Sequence, residues 1–198
     1  MENLQLNCPG CQAPVSQDMK VCPYCGRPVV ITTFNDVNKL SMLDLNKYQA
    51  NIGKNIAAGK GDEGANEASL GFIFLRLKLY SKANEHFSKA VDQYFDSAEL
   101  FMAAAIAKLE GKKAFLCLRD TINEAERYLN IALEIEPRGI FYYFLAYLRY
   151  DYHFRKGFKV SPSYREYLAS AIDAGISRAD IDTLFSMLGV PCPDAIRL

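Results

Sequence analysis

Tryptophan is missing from this 198-residue chain, and histidine occurs twice, at His86 and His153. Neither histidine stands in a pattern with a nucleophile or a carboxylate pair, so general acid–base catalysis has little to work with. His86 is expected on an exposed stretch of helix and His153 in an extended loop. Net charge is missing too: Lys plus Arg and Asp plus Glu both number 23, so no overall field draws the chain to nucleic acid or to an anionic membrane. No apolar run approaches the roughly twenty residues of a membrane span. The longest, Phe141 to Leu148, runs into Arg149. There is no glycine-rich phosphate loop, and no stretch alternates with period two long enough to read as a strand. The seven residues before Cys8 lack the apolar core of a signal peptide. These absences lead to the expectation of a non-enzymatic protein in a reducing, cytoplasmic setting. Hydrophobic residues at 50% supply ample core material.

Cysteine is present but unevenly spread. Four of the six fall in Cys8-Pro9-Gly10-Cys11 and Cys22-Pro23-Tyr24-Cys25-Gly26, two Cys-x-x-Cys pairs with ten residues between them. Two tight turns that each present two sulfurs suit Zn²⁺, which takes four soft thiolates tetrahedrally at roughly 2.3 Å. Pro9 and Pro23 fix φ at the start of each turn, and Gly26 can take the positive φ by which the chain leaves the second. Disulfides and a glutaredoxin-like redox turn are the alternatives. The first lacks a secretory segment, and the second lacks the βαβ pattern it needs. The expected metal ligands are Cys8, Cys11, Cys22 and Cys25, holding one structural Zn²⁺. Cys117, in the apolar run Phe115 to Leu118, reads as a small buried hydrophobe, and Cys192, between Pro191 and Pro193, as an exposed thiol.

With these residues in place, the stretch from Asn7 to Val30 resembles the zinc-ribbon family, whose cysteine knuckles sit at the tips of short hairpins. Its ten-residue spacer is shorter than the usual roughly fifteen to twenty. So small a module has little core, so metal binding is expected to supply on the order of 10 kcal/mol of its folding free energy. The organisation expected is a ribbon over 1–31, a linker over 32–41, and a helical domain over 42–198.

From Leu43 onward, helix follows helix. Leu45, Tyr48, Ile52 and Ile56 recur at helical spacing in a first helix ending near Ala57, read as a lid packed on the next helices. Asp62, Ser81 and Ser97 are the expected caps of the next three, ending near Leu79, Tyr94 and Glu110. Thr121 with Glu124 has capping-box spacing, and Pro137 ends that helix. Further helices are expected over Gly139–Tyr150, from Ser161-Pro162 to just before Gly175, and from Ser177 to Gly189.

The helices recur in pairs. Leu70-Gly71, Phe74, Ala83, Phe87 and Ala90 resemble the tetratricopeptide-repeat (TPR) pattern, with Glu67 at the early tryptophan position. Ala104-Ala105 with Ala125, Leu129, Ala132 and Pro137 form a second set, and Leu145-Ala146 with Tyr164, Leu168 and Ala171 a third. Ala83, Ala125 and Tyr164 are 42 and 39 positions apart, longer than the usual 34, so HEAT-like repeats stay open as an alternative. The fold class expected is all-α: a TPR-like solenoid of antiparallel helix pairs with a small N-terminal Cys₄ ribbon and a C-terminal capping helix.

The TPR resemblance implies a scaffold whose first helices line a groove for a protein or peptide partner. Carried onto this chain, the groove positions are Phe72, Leu75, Arg76, Met102, Ile106, Tyr143, Tyr147 and Tyr150. The tyrosines offer stiff contact area with a hydroxyl handle, and simple packing is the competing reading. A different function is suggested by nine aromatic residues between Phe141 and Phe158, interleaved with Arg149, Arg155, Lys156 and Lys159. Bases stack on aromatics and phosphates pair with cations, so segment 149–159 makes single-strand nucleic-acid binding the alternative.

Overall fold

The computed structural model describes residues 5–93 and 96–198. The chain divides into two compact units, Met1–Phe95 and Asp96–Leu198.

The first unit opens with strand β1 (Gln5–Asn7), paired antiparallel to β2 (Pro14–Ser16) with Leu6 opposite Val15. A second, smaller hairpin is closed by a bridge between Val21 and Pro28. Leu6, Val15 and Val29 bury their side chains with Cys8 and Cys22 in one cluster, so the thiols are part of the hairpins' core. Both strands are three residues long, too short to leave an alternating pattern in the sequence.

Helix α1 (Phe34–Asn38) lies within the stretch expected as a linker. Thr33 caps it by accepting from the Asp36 N–H, and Val37 and Leu40 are buried. It is followed by α2 (Met42–Ala57), capped by Ser41, then α3 (Glu63–Arg76), capped by Asp62, and α4 (Tyr80–Ala90). Helices α3 and α4 form an antiparallel hairpin around Gly71. Ser81 is not the cap of α4: that helix starts at Tyr80 after Leu79 and has no side-chain cap. The end expected at Tyr94 lies outside the described residues.

The second unit holds α5 (Ala98–Lys108), capped by Ser97, a short 3₁₀ turn at Ala114–Leu116, and α6 (Arg119–Ile135). Then come α7 (Gly139–Leu148), a π-helical turn at Arg149–Phe154, α8 (Tyr164–Asp173), α9 (Arg178–Leu188) and a closing 3₁₀ turn at Asp194–Ile196. Two expected starts are displaced. Thr121 lies inside α6, which begins at Arg119 without a side-chain cap. The cap of α8 is Ser163, whose capping box with Glu166 outcompetes Ser161-Pro162. The chain does not pass into loop at Tyr150, because α7 widens directly into the π turn; the irregular stretch begins only after Phe154 and runs to α8.

Within the pairs α3/α4, α5/α6 and α7/α8 the two helices play different roles. The second helices bury one stripe, Ala83, Phe87 and Ala90 on α4 and Ile122, Ala125, Leu129 and Ala132 on α6. The first helices are buried almost all round: Gly64 to Leu75 on α3, Leu100 to Ala107 on α5, and Tyr143 to Leu148 on α7. In the first unit, Phe34 of α1 meets Phe72 edge-on at 5.3 Å, and Phe72 meets Phe87 at 5.3 Å. In the second, Phe185 of α9 sets its ring edge-on to Tyr147 at 5.1 Å and to Tyr143 at 6.4 Å. Among the described residues, no helix is long and apolar enough to cross a membrane.

Candidate metal centre

Each cysteine pair sits on the same backbone turn. In the first, the Cys8 N–H donates to Ala13 O (2.8 Å) and the Gln12 N–H donates back to Cys8 O (2.8 Å). In the second, the Cys22 N–H donates to Arg27 O (2.8 Å) and the Gly26 N–H to Cys22 O (2.9 Å). The turn needs a left-handed residue four positions after its first cysteine. Gly26 has φ of 69° there, as its lack of a Cβ allows, and Gln12 has φ of 67°. Gln12 was not legible as the counterpart of Gly26; its side-chain amide donates to Cys8 O at 3.3 Å.

The two turns bring all four sulfurs within 4.8 Å of one another. Cys8 Sγ lies 3.7 Å from Cys25 Sγ, and Cys11 Sγ lies 3.8 Å from Cys22 Sγ. A disulfide would place its sulfurs at about 2.05 Å, so these are free thiols. A tetrahedron with metal–sulfur bonds of about 2.3 Å has edges of about 3.8 Å. The four cysteines therefore fit a single tetrahedral metal ion. Cys8 and Cys22 are buried, Cys25 is half-buried and Cys11 is exposed. Gly10 belongs to this cradle: a Cβ there would stand 3.3 Å from both Cys25 Sγ and Arg27 Cδ, and 3.4 Å from the Tyr48 ring.

Without a cation the thiols differ sharply. Burial pushes the Cys8 thiol up to about 12, against N–H donation from Cys11 and Gly10. Burial opposes the Cys22 thiolate as well, but the Tyr24 and Cys25 N–H groups outweigh it and bring that thiol down to about 7. Burial also raises Cys25. One sulfur thus ionises readily while its buried neighbours resist, and a divalent cation removes that opposition by balancing charge at the cluster's centre.

One face of α2 holds the turns in place through their backbone. Tyr48 donates its hydroxyl to Pro28 O (2.7 Å), Asn51 its amide to Pro9 O (2.8 Å), and Asn55 its amide to Asn7 O (2.8 Å). The Asn7 N–H returns a bond to Asn55 Oδ1 at 3.3 Å. Arg27 pairs with Asp44 at 3.0 Å, and the Ser41 hydroxyl, followed by Arg27, holds the Asp44 carboxyl below its usual range. The face of α2 expected to lie on the following helices is thus shared with the cysteine turns.

Of the eight positions expected to line a groove, Phe72, Leu75, Met102, Ile106, Tyr143 and Tyr147 are buried. The reason is that α3, α5 and α7 are apolar around most of their circumference, so their open faces are taken by other parts of the chain. The Tyr143 hydroxyl donates to Ile196 O (2.7 Å), and the Tyr147 hydroxyl accepts from the Ala114 N–H (3.1 Å). Only Arg76 is exposed, and Tyr150 is half-exposed against Phe154 and Tyr164. Among the cations of segment 149–159, Arg155 pairs with Asp151 and lies over the Phe115 ring at 4.5 Å. Lys156 Nζ sits 3.8 Å from the centre of the Tyr152 ring.

Both histidines differ from expectation, because buried carboxylates claim them. His86 Nδ1 lies 2.5 Å from Glu67 Oε2, with its ring stacked on Phe74. His153 Nε2 lies 3.0 Å from Glu126 Oε1 inside the π turn, and Arg149 reaches the other oxygen at 3.2 Å. Cys117 and Cys192 are both half-buried, and Cys192 Sγ lies 3.5 Å from the Tyr143 hydroxyl.

Comparison with family models, with curated proteins and with solved structures finds no match for this chain.

Proposed function

We propose that the chain is a non-enzymatic adaptor in which a structural zinc ribbon is joined to TPR-like helix pairs that bind a protein or peptide partner. The observation that carries the zinc half is the sulfur spacing, 3.7 and 3.8 Å, which matches the edge of a ZnS₄ tetrahedron. Four thiolates fill that tetrahedron, so the ion serves folding rather than substrate activation. Soft thiolate donors favour zinc over hard cations such as Mg²⁺ and Ca²⁺. Support for the repeat half comes from three successive helix hairpins and from Gly71, the small residue against which Phe87 packs.

The test begins with metal analysis of the purified full-length chain, for which one zinc per chain is expected. A ratio well below one, or iron in its place, sinks the zinc assignment. Affinity capture from native lysate by the zinc-loaded chain then examines the adaptor role. A stoichiometric protein partner whose retention survives nuclease supports it, and retention lost on nuclease treatment rejects it.

A further inference from the structure

The second unit carries a cleft of about 270 Å³ where α7 widens into the π turn, a helical geometry that often marks functional sites. Its apolar floor is Phe154, Phe158 and Tyr164. Phe154 is packed at 5.0 Å on Tyr164, yet it is 53% exposed, and Phe158 is 51% exposed. Three cations, Arg149, Lys159 and Arg165, complete the wall, and no carboxylate lines it. Among the described residues no ion pair joins Lys159 or Arg165 to an acidic group. Arg149 gives Nη2 to Glu126, while its Nε is buried without a partner. The neighbouring carboxylate, Glu166, is turned back onto the Ser163 N–H at 2.7 Å and leaves the cleft uncompensated. In a chain with no net charge, this is a local concentration of positive charge around exposed aromatic surface.

We infer that this cleft binds an acidic segment of a protein partner, one aromatic or leucine side chain lying against Phe154 and Phe158 with flanking carboxylates on Lys159 and Arg165. The inference rests on the adaptor reading and names the chemistry of its partner. Guanidinium and ammonium groups beside an apolar floor match carboxylates that flank an apolar side chain. A single nucleic-acid strand fits less well, since it requires a continuous cationic track with free ring faces. Arg155 and Lys156, which would extend the track, are engaged with Asp151, Phe115 and Tyr152, and Phe154 and Tyr164 are packed on each other.

The probe is a displayed library of random dodecapeptides, selected on the zinc-loaded full-length chain and on K159E/R165E, whose substitutions are at exposed positions. Recovered sequences should concentrate Asp and Glu around one aromatic or leucine residue. A fluorescein-labelled member should bind at least tenfold more weakly to K159E/R165E and to F158A, each checked for native circular dichroism. Absence of enrichment, enrichment without acidic bias, or binding untouched by K159E/R165E overturns the inference. So does tighter binding of a dodecameric oligothymidylate that is lost on the same variant. Lysate capture retained in full by K159E/R165E removes the cleft and leaves the adaptor reading standing. Capture by no form of the chain removes the adaptor reading and leaves the peptide result to decide the cleft.

Discussion

A Cβ on Gly71 would stand 2.5 Å from two ring carbons of Phe87, so α3 and α4 meet where only glycine leaves room for the ring. Phe87 is fully buried and held edge-on by Phe72, so it cannot swing aside cheaply. Gly71→Ala is therefore expected to destabilise the first unit by about 1–3 kcal/mol, the cost of overpacking. Phe87→Leu in the same chain should recover part of that loss. Equilibrium urea unfolding of the two single variants and the double variant measures the coupling, and strict additivity would show that the contact does not matter.

Zinc removal should reach beyond the cysteine turns. If the four thiols hold zinc as proposed, chelation, or Cys8→Ser with Cys22→Ser, takes away an ion at the centre of the cluster that Cys8 and Cys22 form with Val15 and Val29. It also frees the backbone groups that Tyr48, Asn51 and Asn55 hold. Hydrogen exchange should accelerate at residues 6–30 and along α2, and re-added zinc should reverse it. Unchanged exchange in α2 would mean that the helix stands without the metal-bound turns.

Tyr48 is the central tie between α2 and the second turn, fully buried and bonded to Pro28 O. Tyr48→Phe keeps the ring but leaves that carbonyl without its donor, at a cost of about 1 kcal/mol. Asn55→Ala breaks two bonds to Asn7 and should cost more, about 1–3 kcal/mol. Thermal unfolding of the zinc-loaded chain ranks the two, and a stabilising Tyr48→Phe would overturn the assignment.

Phe185 fills the space between Tyr143 and Tyr147 and is almost fully buried. Phe185→Ala should destabilise the second unit by about 3–5 kcal/mol and loosen α9. Amide exchange along Arg178–Leu188 reports it directly. Protection equal to that of the unaltered chain would show that α9 is held by something else.

Acid should weaken the second unit through His153. Burial lowers the pKa of this imidazole below its ordinary 6.5, with Arg149 adding to the effect and Glu126 opposing it. The unfolded chain then takes up the proton first as pH falls. This contribution to stability is whole above about pH 6.5 and is lost as pH falls from there through the folded-state value. His153→Gln should show a shallower fall in melting temperature between about pH 7.5 and 5.5. An equal slope in both proteins would remove His153 from the account.

The clustering of the four cysteines was legible because two Cys-x-x-Cys turns display their spacing in the sequence, and the helix starts at Asp62, Ser97 and Ser177 carry a comparably local mark. A side-chain oxygen three residues ahead of an orphan N–H is such a mark. Leu79 and Leu118 make no side-chain cap, so the starts of α4 and α6 carry no local mark and lie two and three positions ahead of those expected from Ser81 and Thr121. The burial of six of the eight expected groove positions was not legible because exposure is a property of the whole molecule. Nothing within α3 or α7 announces that Phe34 and Phe185, distant in sequence, cover Phe72 and Tyr147. The histidines went the same way, since Glu67 and Glu126 lie 19 and 27 positions from the rings they hold.

Apart from the ion pair between Asp44 and Arg27, the ties from α2 to the cysteine turns end on main-chain atoms, Asn7 N and O, Pro9 O and Pro28 O. Every residue type carries those atoms, so the seat of the turns is blind to what projects from their outer surface. Met19, Val21 and Tyr24 are exposed there. A protein engineer can therefore treat the outer rim of the second turn as a small display site, rewriting these positions while the cysteines, Gly10 and Gly26 keep the platform in place.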